Sequence, residues 1–185
     1  NAAGKTTTIK ATIINLLLTQ QLGLGFFDKG ETSTFDYIHC YLNIPDSCSR
    51  DSLFQAEARR CKNIIDCIIQ NPKNTHFCIF DELYSGTNPY EAISSAYSYL
   101  DYISKNKNVR FLLTTHFIRL CNLFEKKSKI INKSMKTNID DNKNPIYTYK
   151  ITKGISTVKG GVSVLKHLKY PKQIIKMTNH ILEKI

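Results

Sequence analysis

Apolar positions along the chain alternate between helical spacing and short continuous runs. Ile9, Ile13, Leu16 and Leu17 mark one face of a helix predicted over Thr6–Gln20. Gly23, Gly25 and Gly30 break it, and loops with short strands are expected from there to Asp51. Ser52 suits an N-cap and opens a second helix to about Gln70. Phe54, Cys61, Ile64, Ile65 and Ile68 recur on its apolar side, and Asn71-Pro72 stops it. His76–Phe80 is a short apolar run followed by two acids, the pattern of a buried strand. Pro89 fits the first turn of a helix to about Ser104. Val109–Thr115 reads as another buried strand. Lys129–Lys136 and Tyr147–Lys153 read as two more, around the polar loop Asp140–Asn144. Gly160-Gly161 and Pro171 punctuate two terminal helices. Strands alternating with helices predict an α/β domain.

Composition narrows the class. The 185 residues suffice for one domain with a core and a short appendage. A chain 42% hydrophobic and 22% charged is globular rather than disordered or fibrous. There is no apolar run of about 18 residues, so no membrane span is expected. Ile13–Leu18 is too short for a signal peptide and follows a Thr-rich start. The six cysteines (Cys40, Cys48, Cys61, Cys67, Cys78 and Cys121) form no C-x-x-C pair. They read as reduced, mostly buried thiols of a soluble intracellular protein, with no metal or disulfide role. Cytoplasm, nucleus and viral factory are not distinguished.

Charge is distributed unevenly. Residues 1–104 hold 8 basic and 11 acidic side chains, a balance of −3; residues 105–185 hold 18 and 4, a balance of +14. Such a basic half suits a polyanion. However, Lys outnumbers Arg 21 to 5, a mix that AT-biased coding writes on any surface. It also argues against many bidentate base contacts, so DNA contact by these residues would be to phosphates and would weaken with salt.

Four segments carry candidate chemistry. Asn1-Ala2-Ala3-Gly4-Lys5-Thr6-Thr7 matches the end of the phosphate-loop pattern G-x-x-x-x-G-K-[ST], whose leading Gly would lie two residues before Asn1. In such a loop main-chain N–H groups wrap a phosphate, Lys5 supplies a point charge, Thr6 offers a hydroxyl to Mg²⁺, and the helix dipole favours the anion. Phe77-Cys78-Ile79-Phe80-Asp81-Glu82 has the Walker B pattern, with Asp81 for the Mg²⁺ water shell and Glu82 for the attacking water. Phe111-Leu112-Leu113-Thr114-Thr115-His116 puts an imidazole at the carboxyl edge of a strand, where it would sense the terminal phosphate. Ser52-Leu53-Phe54-Gln55-Ala56-Glu57 starts a helix whose N-terminus can cap a phosphate. Taken in this order, the four segments point to a nucleotide hydrolase.

The order resembles that of ABC-class ATPases, in which the Ser-led helix of one subunit caps the nucleotide of the other. Within that class the residues resemble the ATPase domain of the MutS family of DNA mismatch repair proteins. Asn1–Thr7 resembles the end of its G-P-N-x-x-G-K-[ST] loop. Ser52–Glu57 resembles S-T-F-x-x-E, and Asp81–Asn88 resembles D-E-x-x-x-G-T, followed by a helix with Glu91 and Ala92. Thr114–His116 resembles A-T-H, and Gly154–Gly161 with Leu168 and Pro171 resembles the family's closing segment.

This resemblance implies a P-loop NTPase of the ABC class, with a central mixed sheet flanked by helices and a short C-terminal helical tail. Residues 1–158 would be a partial ATPase domain, lacking its first strand and the start of the loop. Residues 159–185 would be a helical segment on that core or on a dimer partner. Asn1, Ala2, Ala3, Gly4, Lys5, Thr6 and Thr7 would bind ATP. Thr6 and Asp81 would serve Mg²⁺, Glu82 and His116 would be catalytic, and Ser52 would act in trans across a homo- or heterodimer. ATP would switch the grip of that dimer on mismatched duplex DNA, mainly through domains outside these residues. Arg50-Asp51 stands where the family usually has Gly, and Lys159-Gly160-Gly161 replaces S-[YH]-G. Gln20 and Gln21 are the nearest candidates for a glutamine-loop residue. No L-S-G-G-Q occurs, which argues against the transporters. The other readings are a chromosome-maintenance or recombination-control ATPase, and a dimerising scaffold that binds without hydrolysing.

Overall fold

The computed structural model describes residues 3–42, 52–127, 129–140, 145–156, 158 and 160–184. The expectations resting on Asn1, Ala2, Cys48, Arg50, Asp51 and Lys159 lie outside them. Two compact units divide the chain, Ala3–Asn132 and Lys133–Ile185.

In the first unit, β1 (Tyr37–Tyr41), β2 (His76–Asp81) and β3 (Val109–Thr114) form a parallel sheet in that order. Parallel neighbours need crossovers. Here these contain α2 (Leu53–Gln70) and α3 (Pro89–Ser104). Because β-strands alternate faces, Tyr41, Cys78 and Phe80 join α2 and α3 residues Cys61, Ile64, Ala96 and Leu100 in one core. Ile79 faces the other way and packs with Ile9, Ile13 and Leu16 of α1 (Lys5–Leu22). Helices therefore cover both faces of the sheet, which explains why its strands read as near-continuous apolar runs. Leu17, expected on the apolar face of α1, is instead exposed.

Helix boundaries follow local chemistry. Ser52 and Gln55 form a capping box at α2. Asn88 caps α3 by accepting from the main-chain N–H of Tyr90 and Glu91, both at 3.1 Å, ahead of Pro89. Asn88→Ala should cost about 1 kcal/mol, read from urea unfolding. A short helix that the sequence pattern does not mark, α4 (Ile118–Phe124), follows β3 and buries Leu120 and Phe124.

In the second unit, β4 (Lys133–Ile139) and β5 (Pro145–Lys153) pair antiparallel, with an irregularity between Met135 and Thr137. α5 (Gly161–His167) and α6 (Lys172–Leu182) follow. The expected single mixed sheet is not what the described strands form. They make a three-stranded parallel sheet and a separate two-stranded one. The reason lies in the side chains. β4 reads Lys-Ser-Met-Lys-Thr-Asn-Ile and has no fully buried residue, so neither face could line the interior of a helix-covered sheet. Among the described residues no helix is long and apolar enough to cross a membrane.

Candidate functional site

The carboxyl edge of the parallel sheet gathers side chains from three of the four segments. Asp81 ends β2 directly beside Thr114, which ends β3. The Thr114 hydroxyl donates to Asp81 Oδ1. Thr6, in the first turn of α1, donates to the same oxygen at 3.1 Å. This pairing spans 75 residues of sequence and fixes the start of α1 against the end of β2. Gly4 precedes α1 at φ 88°, a left-handed conformation that favours glycine. The next main-chain N–H groups begin a helix and so have no carbonyl one turn back to receive them. Lys5 is half-buried at this end. Burial, the largest influence, holds the Cys121 thiol above its ordinary value, while its own main chain and the Lys5 charge oppose that rise. The Lys5 ammonium therefore lies within electrostatic reach of α4.

Glu82 follows Asp81 and keeps the ladder going by one bond, its N–H donating to the Thr114 carbonyl at 3.0 Å. Its carboxylate Oε2 is 3.8 Å from Nδ1 of His116, whose ring is half-exposed and packs on Phe117. Glu82 and Tyr84 both have positive φ, 53° and 59°. Such backbone costs of order 1–3 kcal/mol per residue and persists only where the surroundings enforce it. Several contacts do so here. Leu83 and Tyr84 are buried. The Tyr84 N–H donates to the Tyr41 hydroxyl at 3.3 Å.

The strongest restraint comes from Glu57, in the second turn of α2 and only 2% exposed. Its Oε1 accepts from the Ser85 N–H and hydroxyl, each at 3.0 Å, and its Oε2 accepts from the Gly86 N–H at 3.0 Å. Gly86 lies so close to α2 that a Cβ would stand 2.6 Å from Leu53 Cγ and 2.9 Å from the Phe54 nitrogen. The loop after Asp81-Glu82 is thus bolted to the start of the Ser-led helix. The sequence reading contained Glu57 inside a motif but gave it no role; the available signal was an acid placed five residues after the cap.

The fold brings together Thr6 with Asp81 and Glu82 with His116. It does not bring Ser52 to them. Ser52 Oγ accepts from the Gln55 N–H at 3.3 Å, and the residue is exposed at the tip of α2. Thr7 is exposed on α1, and Ala3 is half-buried just before the helix. Gln20 is removed from the site altogether. Its amide pairs both ways with the Phe35 main chain, at 2.8 and 2.9 Å. Fifteen residues of helix, about 22 Å, separate it from Lys5.

The family described as MutS domain V matches residues 1–185. The chain belongs to the MutS family. The DNA mismatch repair protein MutS of Finegoldia magna is 30% identical over 190 aligned residues, covering 100% of this chain and 21% of that protein. The protein of the same name from Clostridium perfringens is 31% identical over 189 residues, 99% of this chain and 20% of that protein. The one from Fusobacterium nucleatum is 26% identical over 186 residues, 100% and 20% respectively. The chain spans about a fifth of the length of the curated relatives it matches.

Proposed function

We propose that this MutS domain V binds and hydrolyses Mg-ATP, and that hydrolysis switches a dimeric mismatch-repair protein on DNA. One observation carries the reading: Asp81, Thr6 and the Glu82–His116 pair converge where a helix N-terminus meets the carboxyl ends of parallel strands. Ligands of open α/β sheets bind at that edge. The donor set also fits the ligand. The Thr6 hydroxyl and Asp81 carboxylate are hard oxygens of the kind Mg²⁺ takes, and left-handed Gly4 followed by helix N–H groups suits a phosphate.

On this reading Gly4, Lys5, Thr6 and Thr7 hold the nucleotide phosphates, together with Asn1, Ala2 and Ala3 of the same loop. Mg²⁺, when bound, would neutralise charge on the terminal phosphates. Thr6 and Asp81 orient it. Thr114 donates to the same Asp81 oxygen as Thr6 and helps to fix the carboxylate. Glu82 orients the attacking water and accepts its proton. His116, next to Glu82, contacts the terminal phosphate. Ser52 caps the nucleotide of a second subunit, for which its exposed place on the α2 tip is suited. Residues 1–158 are assigned to the ATPase domain and 159–185 to a helical tail. Ile174, Met177 and Ile181 make an exposed apolar stripe on α6, as a dimerising helix would present. The relatives are DNA mismatch repair proteins, which makes mismatched duplex DNA the partner on this reading.

The test is nucleotide affinity. Removing a cation that meets phosphate forfeits charge-assisted bonds worth about 1.5–3 kcal/mol. Lys5→Ala should therefore weaken ATP binding by roughly 10–100-fold in calorimetric titration. Unchanged affinity would remove the phosphate-loop assignment.

A further inference from the structure

The opposite end of the sheet holds a second cluster of chemistry-bearing side chains. β2 begins with His76 and ends with Asp81, so about 17 Å of strand separates the two ends. Around His76 lie His39 of β1 and Cys67 of α2. One nitrogen of each ring and the Cys67 sulfur all lie within 4.8 Å of one another. His39 Nε2 and His76 Nδ1 are 3.1 Å apart, and the rings are within 11° of parallel.

The hydrogen bonds fix which atoms face inward. His76 Nε2 is 3.1 Å from the Asn71 carbonyl oxygen. A carbonyl only accepts, so Nε2 carries the proton and Nδ1 presents its lone pair toward His39. A metal-bound histidine has this arrangement, with its outer N–H donated to a main-chain carbonyl. Asn71 also points its side-chain Nδ2 at Cys67 Sγ, 3.9 Å away, where it would support a thiolate. His76 is fully buried, and Tyr37 stacks on its ring at 5.0 Å.

We propose that His39 Nε2, His76 Nδ1 and Cys67 Sγ form a zinc site that ties α2 to β1 and β2. Zn–N bonds of 2.0–2.1 Å and Zn–S of 2.3 Å put tetrahedral donors about 3.3–3.7 Å apart. The two nitrogens are already near that spacing, and the sulfur is at most about an ångström beyond it. Two imidazoles and a thiolate are a borderline-soft set that selects zinc over the Mg²⁺ and Ca²⁺ favoured by oxygen ligands. Water completes the fourth position. Without the ion, His39 Nε2–H donates to His76 Nδ1, so the empty site is satisfied and the protein folds around it. The nucleotide edge, where Thr6 and Asp81 supply oxygen donors, lies at the other end of β2 and is a different site.

The test loads the purified protein with Zn²⁺, removes excess by gel filtration and measures metal per chain with the thiols kept reduced. One tightly held zinc is expected, with a rise in Tm. Co²⁺ in its place should give tetrahedral d–d bands and a thiolate-to-cobalt charge-transfer band. Cys67→Ser should abolish the charge-transfer band and weaken zinc binding by at least 100-fold. His39→Asn should weaken binding as strongly, and neither half-buried change should alter the circular dichroism of the metal-free protein. Cys121→Ser, on α4, should leave binding unchanged. Zinc held equally by wild type and Cys67→Ser, or no stoichiometric zinc in wild type, would overturn the site.

Discussion

Replacing Glu82 with Gln should leave ATP binding intact and lower turnover by roughly 10²–10⁴-fold, the range for loss of a positioned general base. The change keeps volume and one side-chain oxygen, so Leu83 and Tyr84 can stay buried and the N–H bond to Thr114 can persist. What disappears is a carboxylate able to take a proton. The groups proposed to bind the nucleotide, Lys5, Thr6 and Asp81, are other residues, and the ion-pair partner of the Glu82 carboxylate is His116. Glu82 also sits at φ 53°, so its carboxylate is aimed by a backbone that few residues would adopt unaided. Single-turnover hydrolysis with a parallel nucleotide titration separates the two effects. Turnover equal to wild type would eliminate Glu82 as the base, and loss of ATP affinity would place it among the binding groups instead.

How much of this arrangement is readable in the sequence depends on how far apart the interacting residues are. α2 and α3 are readable because their start signals, Ser52 as a cap and Pro89 in a first turn, are local; the Asn88 cap of α3 is added by the structure. β2 and β3 were readable because helices on both sides demand continuous apolar runs. β1 merges into a region that reads as loops and short strands, since its five residues mix aromatic and polar types. α4 is only seven residues long and lacks a side-chain cap, so it had no start signal. β4 and β5 are legible as strands, but they pair with each other in a sheet of their own rather than in a central mixed one. Period-2 alternation identifies a strand without naming its partner. The site shows the same divide. Asp81-Glu82 and Thr6 are local motifs, but the shared Asp81 oxygen that joins Thr6 to Thr114 exists only through strand register. The His39–Cys67–His76 cluster escaped because the spacing of its members matches no metal motif and depends on β1 pairing with β2.

Glu57→Ala should be the most damaging change outside the nucleotide edge. Three donors converge on this carboxylate, and all three belong to the loop that follows Glu82. Bonds to a charged acceptor contribute about 1.5–3 kcal/mol each, and they are not additive when the same two residues make them. Truncation strands the Ser85 and Gly86 N–H groups against α2 and opens a cavity at a site 2% exposed. A loss of about 2–4 kcal/mol is expected, measured by urea unfolding at pH 7. Glu57→Gln should cost less, because one oxygen remains, but its amide NH₂ must then face one of the two N–H donors. Stability is only half of the expectation. The left-handed turns at Glu82 and Tyr84 are held in place partly by this clamp, so releasing it lets the Glu82 carboxylate drift from His116. Even in a folded variant, kcat for ATP should therefore fall while KM changes little. Glu57 touches none of the proposed reacting groups, so a purely structural role would lower the folded fraction and leave the kcat of the folded molecules unchanged. Turnover normalised to folded protein decides between the two. A fall there would make α2, with Ser52 at its tip, the mechanical link between the edge offered to a partner and the position of the catalytic base.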